Sequence, residues 1–372
     1  MKAEILQEKK QNWFLRHLFL VIVIPCSLIV VSSGVVSGLV LFLPKDEVVE
    51  EAEPEEPEKP APVARYFSRL TGLSVATADE VGQATNCIMI ENSYTKNSRN
   101  SARPQSGLVN AGVIYEAVAE GGITRFMAVY QGGMPEFIGP VRSLRMYYAE
   151  WARPYECLIA HAGGADDAIA LVRNGTNGFR TVSENNTEFW RIRDRYAPHN
   201  LYTSGARLEA LMANRGYTAS NFEGFARAIE GRAPTRSRQV ASNINITMSG
   251  AEYNVSYAYD TTTNTYLRAH QTDGAHMDRD INGALTQNAP KVVVAMMVTD
   301  KARAYSPYRN VETNGTGVAH VFQNGEYMAA TWTKNSMNDE LRFVGANGKP
   351  IVFNSGQIWI SAVPVNKSVI WQ

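Results

Sequence analysis

The chain has 372 residues, 45% of them hydrophobic and 19% charged; at about 150 residues per domain that is room for roughly two folded domains, and it excludes a disordered polymer. Its 36 basic and 36 acidic side chains cancel, but residues 1–65 hold ten acids and seven bases, leaving 26 acids and 29 bases, a surplus of three positive charges, for residues 66–372. So small a surplus excludes nucleic acid as the partner.

The first element is a membrane span. From Leu18 to Leu43 there are 26 uncharged residues rich in Val, Ile and Leu, about 39 Å of helix at 1.5 Å per residue, enough to cross a bilayer with tilt. A cleavable signal peptide ends its apolar run after about 7–15 residues, whereas Val35, Val36 and Leu39 to Leu43 continue beyond Ser32-Ser33-Gly34. An uncleaved anchor is therefore expected. Pro25 stands before Cys26 where a lipidation site needs a small residue, so Cys26 reads as a packing cysteine. Lys2, Lys9, Lys10 and Arg16 precede the span and Asp46, Glu47, Glu50 and Glu51 follow it, which puts residues 1–17 in the cytoplasm and everything after the span outside. Residues 44–65 form a stalk: between 46 and 63 lie eight acids and four prolines, a composition that repels itself and buries no core.

The exterior part reads as α+β, a mixed α/β domain at 66–235 and a smaller, mostly β domain at 236–372. In the first, apolar runs at Cys87 to Ile90, Val113 to Ala119, Ile123 to Tyr130 and Cys157 to Ala160 alternate with helical patterns at Leu144 to Trp151, Ala165 to Val172 and Ala206 to Asn214. Gly231 to Arg238 is the expected junction. Beyond it come strands at Tyr253 to Tyr259, Thr265 to Ala269, Val292 to Val298, Val318 to Phe322, Tyr327 to Trp332 and Ile358 to Val363, with turns at Asp273-Gly274, Asn324-Gly325 and Asn347-Gly348. Cys26, Cys87 and Cys157 are too few and too scattered for a disulfide framework or a four-ligand zinc site. Cys87 and Cys157 read as inert thiols in core strands, and stability is expected without disulfides.

Three groups of residues carry candidate chemistry. A two-residue turn at Gly121-Gly122 would set Glu116, Glu120 and Arg125 on one face of a hairpin, either as a register-setting salt bridge or as a site. Ser143 is a natural N-cap for the helix that starts at Leu144, and Arg142 and Arg145 flank it where acids are expected. A helix start flanked by arginines calls for an anion, from a ligand or from a neighbouring Asp or Glu. His161, running into Gly163-Gly164, and His199 with Asn200 lie where clefts form in α/β folds, and either histidine is a proton carrier or a hydrogen-bonded structural group. No metal site is expected, because a tight turn at Asp273-Gly274 sends His270 and His276 to opposite faces. No nucleophile signature and no cofactor motif is present, and Trp332, Trp359 and Trp371 read as core residues more than as sugar-stacking ones.

Ile90-Glu91-Asn92, Ala102-Arg103-Pro104-Gln105-Ser106-Gly107, Glu120-Gly121-Gly122-Ile123-Thr124-Arg125-Phe126, Ile138-Gly139-Pro140-Val141-Arg142-Ser143, His161-Ala162-Gly163-Gly164 and Ala197-Pro198-His199-Asn200-Leu201-Tyr202 together resemble the YerB-like bacterial lipoprotein family. Tyr266 to Arg268, Asp278, Trp332 to Lys334 and Gly356 to Ile360 resemble its smaller C-terminal domain, so the likeness runs over about 86–364. The resemblance implies an extracytoplasmic, two-domain protein and implies no chemistry. The long span with Pro25 before Cys26 departs from the family's lipidated cysteine.

The expected function is non-catalytic recognition of an anionic envelope component, a wall polymer or a partner protein, at Arg142, Ser143 and Arg145, with Arg103, Arg125, His161, Gly163, Gly164, His199 and Asn200 nearby. The alternatives are a wall glycan or peptide hydrolase or transferase using Glu120 or His161 as general acid or base, and a structural envelope scaffold.

Overall fold

The computed structural model describes residues 65–228 and 239–372. The expected cytoplasmic segment, the span, the stalk up to residue 64 and the junction Gly231 to Arg238 lie outside the described residues. Among the described residues no helix is long and apolar enough to cross a membrane.

The apolar runs fold into one mixed sheet of ten strands. Its members are Thr85–Glu91 (β1), Val113–Val118 (β2), Thr124–Gln131 (β3), Leu158–His161 (β4), Arg180–Ser183 (β5), Val292–Val298 (β10), Gly315–Gln323 (β11), Glu326–Lys334 (β12), Arg342–Gly345 (β13) and Ile358–Pro364 (β14). Asn243–Ile246 (β6), Val255–Asp260 (β7), Thr265–His270 (β8), Gly274–Ala275 (β9) and Val369–Trp371 (β15) make a second sheet in the order β9-β8-β7-β6-β15. In the large sheet the order is β13-β12-β11-β10-β14-β2-β3-β1-β4-β5. β14 lies between β10 and β2 and runs parallel to both, so the last long strand of the chain joins strands from either side of the sequence junction.

Both faces of the central strands are covered, which is why they read as unbroken apolar runs. Along β3, Met127 and Val129 point into one core, with the helices Met146–Ala152 (α1) and Asp166–Val172 (α2). Phe126, Ala128 and Tyr130 point into another, where the helix Gly205–Asn214 (α3) packs Leu208 and Met212. A third core holds Val293, Ala295, Phe322 and Val363 against Ile244, Tyr257 and Tyr266 of the second sheet.

Turn chemistry follows the sequence in one place and overrides it in another. Asn324 and Gly325 both have positive φ, 60° and 75°, and close a two-residue hairpin with Gln323 opposite Glu326, as that dipeptide predicts. The Gly121-Gly122 turn is longer than expected. Val118 pairs with Thr124, Ala117 with Arg125 and Glu116 with Phe126, because Ala119 N–H donates to the Ile123 carbonyl and makes Glu120–Gly122 a three-residue loop. That shift sends Glu116 to the face opposite Arg125, correcting the expected three-residue cluster.

The cysteine reading is corrected too. Cys87 and Cys157, 70 positions apart, form a disulfide with Cα atoms 5.7 Å apart. Separation along the chain hides this; the parallel pairing of β1 with β4 sets Cys87 opposite Ile159 and brings Cys157 alongside.

Candidate functional site

Three parallel strands, β1, β4 and β5, end at the same edge of the sheet with Glu91, His161 and Ser183. The carboxyl ends of parallel strands are where α/β sheets leave crevices. Across this edge runs the segment Val141 to Leu144, held extended by Arg142 N–H to the Met89 carbonyl at 2.8 Å, Ala162 N–H to the Arg142 carbonyl at 3.0 Å and Leu144 N–H to the Gly163 carbonyl at 3.0 Å. These bonds delay the helix: α1 begins at Met146, Arg145 stands at its N-cap with no side-chain cap, and Ser143 lies outside it.

The anions that the two arginines call for come from within the chain. Arg145 Nε donates to Glu120, its Nη1 donates to the Leu144 carbonyl at 2.6 Å, and its guanidinium lies 4.8 Å over the Tyr308 ring. Glu120 also accepts from Arg125 Nη2 at 3.2 Å, while Arg125 Nη1 donates to the Ser143 carbonyl at 3.0 Å. Burial alone would raise the Glu120 carboxyl; the hydrogen bond from Arg145 and the charges of Arg125 and Arg145 outweigh it and hold it below the usual range. The expected open positive potential at the start of a helix is therefore corrected, and a carboxylate held ionised by two guanidiniums is a poor general acid.

Arg142 pairs instead with Glu91, Nε to Oε1 at 3.2 Å. Glu91 is a residue the motif reading did not single out, although a carboxylate ending an otherwise apolar strand marked it. Its Oε2 meets His199 Nδ1 at 3.0 Å. Here too burial pushes the carboxyl up, and the His199 hydrogen bond with the charges of Arg142 and Arg125 holds it down. An ionised Glu91 can only accept, so Nδ1 of His199 carries the proton in this contact. The Arg142 side chain is 30% exposed against 8% for Arg145, and no intramolecular bond reaches its terminal nitrogens from the described residues.

His161 is brought to the same edge but is not free. Nδ1 lies 2.9 Å from the Gly163 carbonyl, which can only accept, so Nδ1 is the donor and Nε2 takes the Thr181 hydroxyl at 2.9 Å. Thr181 also lies 3.3 Å from the Ile159 carbonyl, and its single proton goes to the shorter contact. Burial pushes His161 below its ordinary value, against smaller opposing effects of Gly163 and Glu184. Gly163 N–H donates to Glu184 at 2.9 Å. A Cβ on Gly164 would stand 2.7 Å from Ile169, so that glycine permits close packing.

Two expected donors serve the fold. Arg103 is saturated by Asn92 Oδ1 at 2.8 Å, Asp273 Oδ1 at 2.8 Å and the Glu252 carbonyl at 2.7 Å. Asn200 is buried, accepts from Arg191 at 2.7 Å and donates to the Ile192 carbonyl at 3.1 Å, closing its own loop. The histidines expected on opposite faces meet: after a loop at 271–273, His270 and His276 stand with ring centroids 4.4 Å apart. They flank Arg268, whose guanidinium binds Glu116 at 2.8 Å with both side chains wholly buried. Among the described residues no three or more His, Cys, Asp or Glu gather as metal ligands.

The chain is similar to known proteins over most of its length. Residues 70–218 match the model for the N-terminal domain of a protein of unknown function (DUF3048), and residues 244–360 match the model for its C-terminal domain. A relative described as "Putative lipoprotein YerB", from Bacillus subtilis (strain 168), is 28% identical over 298 residues, which cover 79% of this chain and 85% of the relative. The crystal structure of YerB protein from Bacillus subtilis superposes with a TM-score of 0.68 at 24% identity, over 82% of this chain and 99% of that one; that likeness concerns the fold.

Proposed function

Since this chain belongs to the YerB-like family, we propose that it is held at the outer face of a cell membrane and there recognises an anionic envelope component, a wall polymer bearing phosphate or carboxylate groups, through Arg142. The observation that carries the reading is a charge imbalance. Three guanidiniums, of Arg125, Arg142 and Arg145, share two carboxylates, of Glu91 and Glu120. Arg125 and Arg145 share Glu120 inside the fold, whereas Arg142, paired with Glu91, is the one most open to water, and its unbonded terminal nitrogens present the cluster's net positive charge to a phosphate or carboxylate. Arg145 and Arg103 have no part in it, being buried and bonded inside the fold. The Cys87–Cys157 disulfide supports an oxidising, extracytoplasmic compartment, and the apolar, uncharged run 18–43 supports the anchor.

The test is retention of the full chain on immobilised anionic wall polymer at physiological salt. Arg142→Gln, which keeps a donor toward Glu91, weakens retention about five-fold, the worth of one partly exposed ion pair, and leaves cooperative unfolding intact. Unchanged retention overturns the reading.

One observation favours a hydrolase as the second reading. Glu91, a buried carboxylate held ionised, orients the His199 ring through Nδ1, the pairing by which a carboxylate positions a general base. Under it, His199→Gln abolishes release of fragments from purified wall material while Arg142→Gln polymer retention stays as in the first reading; no release by the unaltered chain removes this second reading.

A further inference from the structure

A cleft of about 430 Å³ opens between the segment 190–194, the tip 280–283 of a short hairpin and Phe137. This volume falls in the ~300–1,000 Å³ range of small-molecule sites. We propose that the cleft binds a neutral saccharide, such as an uncharged stretch of a glycan chain. The proposal concerns a different set of residues from the Arg142 cluster and does not rest on it.

Lining chemistry selects the ligand. Trp190 and Phe137 stand with ring centroids 6.3 Å apart, and Ile281, 55% exposed, adds an apolar wall. Against these stand the polar groups of Asp194, Arg279, Asp280 and Asn282. An aromatic body beside planar carboxylate, amide and guanidinium groups matches a sugar, whose C–H face packs on a ring while its hydroxyls both donate and accept. Asp194 and Asp280 are balanced by Arg279 and by Arg207 over the Trp190 ring, so the cleft has no surplus charge to draw in a phosphate-bearing or carboxylate-bearing ligand. A wholly apolar ligand would desolvate Asp280 Oδ2 and the Asn282 amide without offering them partners. A cationic ligand meets rings whose cation positions the chain already fills: Arg207 lies 4.7 Å from the Trp190 ring and Arg279 lies 5.9 Å from the Phe137 ring.

The cleft is also held in shape before any ligand arrives. Phe137 is stacked on Tyr202 at 4.2 Å. Arg279 is set by its N–H to the Gln105 carbonyl at 2.7 Å and by Asp194 Oδ2 at 2.7 Å. Asp280 Oδ1 accepts the N–H groups of Asn282 at 2.9 Å and Ala284 at 2.8 Å, which fixes the turn and leaves Oδ2 outside those bonds. Preorganisation of this kind lowers the ordering cost of binding.

Calorimetric titration of the full chain, in a detergent free of sugar headgroups, with tetra-N-acetylchitotetraose and with maltotetraose tests the proposal. At least one tetrasaccharide binds; Trp190→Ala weakens it about tenfold through the lost ring face, and Asn282→Ala, at an exposed turn tip, weakens it about five-fold through one lost hydrogen bond. Because Trp190 also pairs with Tyr202, Asn282→Ala keeps the test valid where Trp190→Ala unfolds. Arg142→Gln leaves saccharide affinity unchanged, so failure here and failure of polymer retention are told apart. Binding of neither tetrasaccharide, or binding that survives Asn282→Ala, overturns the proposal.

Discussion

Glu120 illustrates how one side chain decides whether a cluster is a site or a brace. Its carboxylate answers Arg125 and Arg145, which are 4% and 6% exposed, while Glu120 itself keeps a quarter of its side-chain surface in water. Removing one partner of a buried pair costs more than the pair contributes, because the remaining charge stays desolvated. Glu120→Gln is expected to destabilise the fold by about 2–3 kcal/mol, below the ~3–5 kcal/mol of a fully buried pair because water reaches this one. Glu116 is the fully buried case, with Arg268, the Trp359 indole N–H at 3.0 Å and Thr124 at 2.9 Å around it. Glu116→Ala is expected to cost about 3–5 kcal/mol. Urea unfolding of the two variants side by side checks the order, and a larger loss for Glu120→Gln than for Glu116→Ala contradicts it.

At the scale of elements, the disulfide and the edge segment Val141 to Leu144 do the same work by different means: each ties β4 to β1. The crosslink closes a loop of 70 residues, and constraining the unfolded chain over that length is worth about 4 kcal/mol in the chain-entropy account. Cys87→Ser with Cys157→Ser, or reduction by a thiol, is expected to lower the unfolding midpoint accordingly, and the oxidised chain is expected to show no alkylation of Cys87 or Cys157, native or denatured, until a reductant is added. Rapid alkylation at either residue without reductant refutes the crosslink. The helix α1 shows the converse lesson. Leu144, Tyr147, Tyr148 and Trp151 have helical spacing, yet the sheet-edge hydrogen bonds of Arg142 and Leu144 are stronger claims on that backbone than helix propensity, so the first turn is lost.

For the whole molecule, the buried titratable groups set the pH response. Burial, and then neighbouring charges led by His276 for His270 and by Arg268 for His276, push both histidines well below their ordinary value. The unfolded chain binds protons at them near pH ~6.5, so their contribution to stability is fully present above that pH and is lost as the pH falls below it. Asp278 has the opposite sign. Burial raises it to about 6, against the N–H groups of Gly107 and Val109; its cost is fully present above that pH and is relieved as the folded carboxyl takes up a proton on the way down. Between about pH 4.5 and 6 the unfolded chain binds protons at these two histidines, and at His161 and His320, which burial also lowers, while the folded chain gains one at Asp278; stability is expected to fall as the pH falls, with Asp278 offsetting about 1.4 kcal/mol of that loss per pH unit. Glu91 and Glu120, held low, add a further loss only below the usual carboxylate range. Asp278→Asn removes the offset and steepens the slope in that window by about 1.4 kcal/mol per pH unit; a urea series over pH that shows the same slope for both proteins sinks the assignment.

Composition and local pattern determined much of this protein before any coordinates. The strand cores at Val113, Val292 and Ile358, the helices at Ala165 and Ala206, and the Asn324-Gly325 hairpin all stand where apolar periodicity and turn chemistry put them, because those signals act over a few residues. Six short blocks of residues were enough to mark the family. What lay beyond the linear text was every pairing made across distance: Cys87 with Cys157, Glu91 with Arg142 and His199, Glu120 with Arg145, Glu116 with Arg268. Charges and thiols carry no address along the chain, and strand register, which a single added loop residue inverts, decides which face each side chain meets. The arginines that looked open in one dimension found their carboxylates only when β1, β3 and the segment at Arg142 came together in three.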